Sequence, residues 1–79
     1  MGTTETFRQR VAAEVRAEMA RQKKTGVELA EVLRCSQQSA SRRVVNGKGL
    51  DLDDLPLIAD WLGISVVDLV APRQRQDVA

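Results

Sequence analysis

The 79-residue chain contains one cysteine, no histidine and no tyrosine, and only one phenylalanine and one tryptophan. A lone thiol, Cys35, cannot form an intramolecular disulfide, and zinc sites built on histidine lack their ligands. We expect Cys35 to be a small buried hydrophobe and not a redox sensor. These absences exclude a disulfide scaffold and a zinc finger, and they predict that the protein carries no metal and no other cofactor.

Long apolar segments are also missing. No run approaches the ~20 residues that cross a bilayer, and residues 1–10 lack the apolar stretch of a secretory signal. The chain has no nucleophile beside a base, no glycine-rich phosphate loop and little room for a pocket, which argues against an enzyme. We expect one cytoplasmic domain over residues 1–71, without a membrane or small-molecule partner, followed by a flexible tail at 72–79.

The charges are unevenly distributed along the chain. Residues 1–48 contain ten lysines and arginines and five acids, a net charge of +5, whereas residues 49–79 contain two arginines and six aspartates, a net charge of −4. A small overall charge of +1 therefore conceals one half that would attract a polyanion.

Apolar spacing predicts an all-α protein of five helices. Phe7, Val11, Val15 and Met19 recur every fourth residue and form one stripe on the first helix, which Thr3 or Thr4 would cap. The predicted helices span residues 4–22, 25–33, 36–45, 52–62 and 65–70.

Capping signals mark several of these helix ends. Thr25 with Glu28, and Ser65 with Asp68, have the spacing of capping boxes, and Ser36 is a good N-cap for the third helix. For the fourth helix, Pro56 is tolerated only in the first turn, which favours Asp53 over Asp51 as the cap. Asn46 and Gly47 would end the third helix, and Gly63 the fourth.

Residues 25–46 are predicted to form a helix, a three-residue turn and a second helix. Ala30 is small where the two helices would cross, and Ala40 and Val44 give the second helix a buried edge. Every residue on its outer edge can form hydrogen bonds with base edges, and no acid occurs between Glu31 and Asp51. The predicted base-reading residues are Gln37, Gln38, Ser39, Ser41, Arg42 and Arg43.

Six stretches of the sequence match one known domain family in order: Glu28-Leu29-Ala30-Glu31 with Leu33, Ser36-Gln37-Gln38-Ser39, Ser41-Arg42-Arg43, Asp51-Leu52-Asp53-Asp54-Leu55, Ile58-Ala59 and Leu62-Gly63-Ile64-Ser65. Through these residues the chain resembles the lambda-repressor-like helix-turn-helix domains of the Cro/repressor type from about residue 11 to residue 70. The stretch Val15-Arg16-Ala17-Glu18-Met19-Ala20-Arg21 and the Ser-Arg-Arg run look most like short regulators of actinobacteria and their phages.

This resemblance implies a compact five-helix domain whose third helix reads the major groove. It also implies phosphate contacts from the start of the second helix and from the loop after the third. Arg34 stands at the turn where the family usually has glycine, and Gly26 could contribute only its backbone N–H. The expected phosphate contacts are Lys23, Lys24, Thr25, Gly26, Ser36, Asn46 and Lys48.

Three large apolar residues fall outside the predicted core stripes of the last two helices: Leu57, Trp61 and Val67. An exposed apolar patch commonly marks an interface, so these residues predict a weak homodimer, formed on DNA if not in the free protein. The alternative is that the long first helix covers Trp61.

The leading hypothesis is a transcriptional regulator, a phage or prophage repressor or Cro-like protein that binds double-stranded operator DNA in the host cytoplasm. The first alternative is the antitoxin of a toxin–antitoxin pair, and the second is an excision or architectural factor that bends DNA. A protein-interaction module without DNA binding is a further possibility, against which the acid-free third helix argues.

Overall fold

The computed structural model describes residues 6–71, so the predicted caps Thr3 and Thr4 and the predicted tail lie outside the described residues. The described part is all-helical, which confirms the predicted fold class at the level of five helices without a strand. The helices are α1 (Phe7–Gln22), α2 (Gly26–Leu33), α3 (Gln37–Val45), α4 (Asp54–Leu62) and α5 (Val66–Val70).

The first helix begins later than predicted because a better capping site follows the expected one. Thr6 is the N-cap: its hydroxyl accepts the N–H of Gln9, whose side-chain oxygen accepts the N–H of Thr6 at 2.8 Å. Neither Thr3 nor Thr4 has Glu or Gln three residues later, so neither can form this reciprocal pair. The capping boxes predicted at Thr25 and Ser65 are both present.

Asp53 is the N-cap residue of α4, as predicted, but its side chain does not cap the helix. Its backbone already has helical angles, and its carboxylate makes no capping hydrogen bond. A capping side chain needs an extended backbone to reach the free N–H groups. Asp54, the first residue of the helix, is buried, and its Oδ2 accepts the N–H of Asp51 in the preceding loop at 3.0 Å. Pro56 lies in the first turn, where its missing N–H is harmless.

The core lies where α1 meets the other helices. α1 packs against α3, α4 and α5, and α2 packs against α3 and α4. The largest fully buried side chains are Leu29, Ile58, Leu69, Val11 and Val15. Burial of each such side chain stabilises the fold by about 1.5–3 kcal/mol, so these five residues account for much of its cohesion.

Two sequence-based burial predictions are only partly met. Phe7 heads the predicted α1 stripe but is 50% exposed, because it is the first helical residue and lies beyond the packed helices. Cys35 packs against the core without being fully buried.

Helices α1 and α2 end on left-handed residues that are not glycine. Lys23 and Arg34 have φ values of 57° and 56°. After each, the next N–H bonds back to a carbonyl five residues earlier: Lys24 to Met19 at 2.9 Å, and Cys35 to Ala30 at 3.0 Å. Arg34 therefore adopts the conformation that glycine would supply, at a cost of about 1–2 kcal/mol.

Gly47 lets the loop after α3 lie directly against the start of α1. Its φ is 80°, and a Cβ placed on it would lie 2.6 Å from the backbone oxygen of Arg8. Gly63, which ends α4, also has a positive φ of 72°, but a Cβ there would have no neighbour within 4 Å. The two glycines therefore differ in crowding and share the same backbone requirement.

We predict that Gly47→Ala destabilises the fold far more than Gly63→Ala. The Gly63 variant incurs only the left-handed backbone cost of about 1–2 kcal/mol. The Gly47 variant adds overpacking against backbone that cannot rotate away, a further ~1–3 kcal/mol. Urea unfolding followed by far-ultraviolet circular dichroism measures both. Equal losses in the two variants would show that the loop moves freely away from α1.

Candidate nucleic-acid interface

The outward face of α3 is polar. The helix buries Ala40 and Val44 against the rest of the protein. Gln38 and Arg42, four residues apart, are exposed and lie opposite this buried edge. Gln37 and Ser41 are also exposed and flank the buried edge on one side. The structure therefore places four of the six predicted base-reading residues where a ligand can reach them.

A shallow open pocket lies beside this face. Its lining includes Ser39, Arg42 and Arg43 of α3 together with Lys48 and Gly49 of the following loop. Ser39 is half-buried and turned toward the loop, so it contributes to the side of the face and not to its centre. Three positively charged side chains, Arg42, Arg43 and Lys48, line this pocket, and a neighbouring acid neutralises one of them.

That neutralised cation is Arg43. Its Nη1 lies 3.4 Å from both carboxylate oxygens of Asp54, and the two side chains are only 21% and 11% exposed. Its Nε is buried without a hydrogen-bond partner among the described residues. The predicted role of Arg43 as a base reader does not agree with this placement, because the guanidinium is already engaged inward. We assign Arg43 to fastening α3 onto the start of α4.

The residues predicted to contact phosphate fall into two groups, one at the two ends of α3 and one at the start of α2. In the loop after α3, Lys48 is exposed and the side-chain oxygen of Asn46 accepts the Lys48 N–H at 3.0 Å. Ser36 is exposed at the opposite end of α3, and its hydroxyl accepts the N–H of Ser39 at 3.1 Å. These two polar side chains shape the backbone around α3, and Lys48 leaves its ammonium free to meet an anion.

The second group surrounds the start of α2. Lys23 and Gly26 are exposed, whereas the hydroxyl of Thr25 is used in the capping box with Glu28. Hydrogen bonds from the Thr25 backbone and hydroxyl lower the pKa of the Glu28 carboxyl. Because this pKa is lowered in the folded state, the capping box stabilises α2 at neutral pH and loses that contribution as the pH falls through the lowered value.

Lys24 is turned toward the tryptophan. Its Nζ lies 5.1 Å from the centre of the Trp61 ring, within the range of a cation–π contact. Trp61 itself is half-buried and packs against the core. The predicted apolar interface is thus only partly present: Leu57 and Val67 are 48% and 65% exposed, whereas Trp61 is covered on one side by Lys24.

A side chain from α1 closes the C-terminal end of α3. Nη1 of Arg16 donates to the carbonyl oxygen of Val44 and, at 2.6 Å, to that of Val45. These carbonyls belong to the last turn, which has no partner within the helix. α3 also lacks the left-handed ending of α1, α2 and α4, because Asn46 has a φ of −135°. Arg16 therefore replaces a local C-cap with one supplied across the fold.

Sequence reasoning missed two residues at this site. Val45 is 58% exposed and lies seven residues after Gln38 and three after Arg42, on the same outward face. Helical spacing alone could have identified it. Arg16 is 28 residues from Val44 along the chain, and no local pattern signals a contact of that separation.

The comparisons with known proteins identify no family for this chain. No protein-family model, curated protein or solved structure matches the chain. Among the described residues, no helix combines the length and the apolar character that crossing a bilayer requires.

We predict that Arg16→Met lowers the free energy of unfolding by about 1–2 kcal/mol, because two helix-end carbonyls lose a charged donor while the aliphatic stem is kept. The matched control is Arg21→Met on the same helix, where the exposed arginine pairs with the neighbouring Glu18. That variant should lose less than about 1 kcal/mol, because an exposed ion pair contributes little to stability. Urea titrations measure the difference, and amide exchange should show faster opening of the last turn of α3 in the Arg16 variant. Equal behaviour of the two variants would remove Arg16 as the cap.

Proposed function

We propose that the chain is a sequence-specific double-stranded DNA-binding transcriptional regulator that inserts α3 into the major groove. The observation that carries the proposal is the outward face of α3. Gln38 and Arg42 are exposed at its centre, Lys48 lies beside it, and no acid occurs between Glu31 and Asp51. A face that is merely solvated usually mixes both charges, whereas a groove lined by phosphates repels acids.

The residue types on this face suit base edges. Glutamine pairs bidentately with adenine and arginine with guanine, so Gln38 and Arg42 are proposed as the main readers. Val45 continues the same face and offers an apolar contact to a thymine methyl group. Gln37 and Ser41 lie to one side, where they can reach a neighbouring base pair.

Phosphate contacts are proposed to set the position of α3 in the groove. Lys48 on one side and Lys23 with the free backbone N–H of Gly26 on the other are the proposed anchors. Gly26 is the first residue of α2, where the helix dipole also favours an anion. Lys24 can join them only by leaving the Trp61 ring.

The arrangement of α2 and α3 supports the regulator interpretation. Three residues join the two helices, as the sequence predicts, and Ala30 is buried on α2 as expected for a close crossing. An antitoxin is the second candidate, because the exposed Leu57 and Val67 offer a surface to a second protein. Copurification of a partner, or strong bending of bound DNA, would point to the antitoxin or to an excision factor.

Selection of bound sequences from a random duplex pool tests the proposal directly. Enrichment of one short motif that contains adenine and guanine at fixed spacing is the expected result. Recovery of unselected sequence with the folded protein would reject sequence-specific binding.

We predict that Gln38→Ala and Arg42→Ala each weaken binding to the selected site by about 1–3 kcal/mol and relax the preference at one base pair. For Gln38→Ala, binding to unrelated duplex should change less, because no charge is lost. Arg21→Ala is the control for Arg42→Ala, since it removes the same charge from an exposed position on α1. Competition binding with single-base variants of the site provides the measurement. A variant that keeps full affinity and full discrimination would exclude that residue as a reader.

We further predict a steep fall of affinity with salt, because the basic half of the chain displaces counterions from several phosphates. Lys48→Ala and Lys23→Ala should each reduce the slope of log K against log salt by about 1. The control Lys48→Arg keeps the positive charge at the same position and should leave the slope unchanged. Titrations at four salt concentrations measure it, and unchanged slopes in both alanine variants would remove these loops from the footprint.

A further inference from the structure

A groove of about 520 Å³ runs between the start of α1 and the loop that leads into α4, on residues that the proposed DNA contacts do not use. The buried side chains of Val11, Leu50 and Leu55 form its floor. Two apolar side chains project at its rim: Phe7 is 50% exposed and Leu52 is 79% exposed. The same surface therefore offers both an apolar depression and apolar projections that nothing in the described chain covers.

Charges of opposite sign line the same groove. Arg8 comes from α1, and Asp51 and Asp53 come from the loop before α4. None of the three forms an ion pair with another described residue, although they border one depression. Their charges are thus available to a partner that presents acids opposite Arg8 and a base opposite the aspartates.

The walls of this groove are held in place before any partner binds. The absence of a side chain at Gly47 lets the loop lie against the Arg8 backbone. The N–H of Leu50 bonds to the Gly47 carbonyl at 3.1 Å, and the N–H of Asp51 bonds to Asp54. A preformed surface loses little conformational entropy on binding, which favours association even through a small contact.

We propose that this groove is the contact surface of a symmetric homodimer. In a two-fold contact the same patch meets itself, so each projection must fit the other chain's depression. Leu52 of one chain would enter the partner's groove, and Arg8 of one chain would face the aspartates of the other. A single surface that carries the projection, the depression and both signs of charge satisfies this requirement.

The apolar face of Leu57, Trp61 and Val67, which the sequence predicted as the dimer interface, is less complementary to itself. The exposed residues Leu57 and Val67 are accompanied by the exposed acids Asp60 and Asp68, and residues 49–71 contain no lysine or arginine. A two-fold contact there would bring like charges together. The nearby cation, Lys24, is already seated on the Trp61 ring. We therefore place the self-contact at the groove and not at the Leu57 face.

The contact is small, so the dimer should be weak. A groove lined by eight residues falls below the standard size of a specific interface. We expect a dissociation constant of roughly 10 μM to 1 mM, as weak contacts of this area allow. The proposed dimer forms without DNA, so it is tested with the protein alone.

Sedimentation equilibrium of the full chain at protein concentrations up to about 1 mM provides the first test. Leu52→Asp should raise the dimer dissociation constant by roughly tenfold or more, because the substitution occurs twice in the contact. The matched control Leu57→Asp places the same change on the other exposed apolar face and should leave the constant unchanged. A monomeric wild type, or a loss of the dimer in the Leu57 variant alone, overturns the proposal.

A charge exchange tests the register of the contact. Arg8→Asp and Asp53→Arg should each weaken the dimer several-fold, whereas the chain that carries both should recover wild-type association, because each pair is restored in reverse. Asp53 makes no capping hydrogen bond, so its substitution leaves the start of α4 intact, and circular dichroism checks the fold of every variant. Failure of the double variant to recover overturns the proposal. A second result would also overturn it. If the wild-type chain stays monomeric but binds the apolar dye anilinonaphthalene sulfonate, and Leu52→Asp abolishes that binding, the groove is a site for a different ligand.

Discussion

The hydrogen bonds from Arg16 to the last carbonyls of α3 determine where the exposed face of that helix points. α3 is only nine residues long and buries two side chains, Ala40 and Val44, so apolar packing alone holds it weakly. An isolated helix of this length would be marginal in water. Arg16 places a positive charge on the negative end of the helix dipole and satisfies two carbonyls at once. The direction of the polar face is therefore set by a residue of another helix.

A second arginine links the same end of α3 to another helix. The side chain of Arg43, a residue of α3, reaches Asp54 at the start of α4. The end of α3 therefore accepts hydrogen bonds from an arginine of α1 and contributes an arginine that pairs with α4. Asp54 in turn holds the loop through the N–H of Asp51. The C-terminal end of α3 is thus joined to both neighbours, while the outward face with Gln38 and Arg42 stays exposed. A ligand on that face meets a helix whose orientation is already fixed.

Local chemistry explains which features were predictable from the sequence. Capping boxes at Thr25 and Ser65 depend on residues three positions apart, and the five helices follow from apolar spacing, so both were predicted correctly. The errors arose where a tertiary contact decided between local options. The sequence favours Asp53 over Asp51 as a capping side chain, yet Asp53 makes no capping hydrogen bond, and Arg43 resembles a base reader until Asp54 lies beside it. The cap from Arg16 has no local signal, since its partners are distant along the chain.

The left-handed residues at the ends of α1 and α2 have a consequence for the balance between charge and stability. Lys23 and Arg34 each bear a backbone cost of about 1–2 kcal/mol that glycine would avoid. Each also places a cation at the negative end of a helix dipole, a gain of about 0.3–1 kcal/mol that offsets part of that cost. Helix termination and surface electrostatics are thereby combined in one residue. The protein can therefore carry a positive charge at each of these two turns, and the loss of stability relative to a glycine at the same position is small.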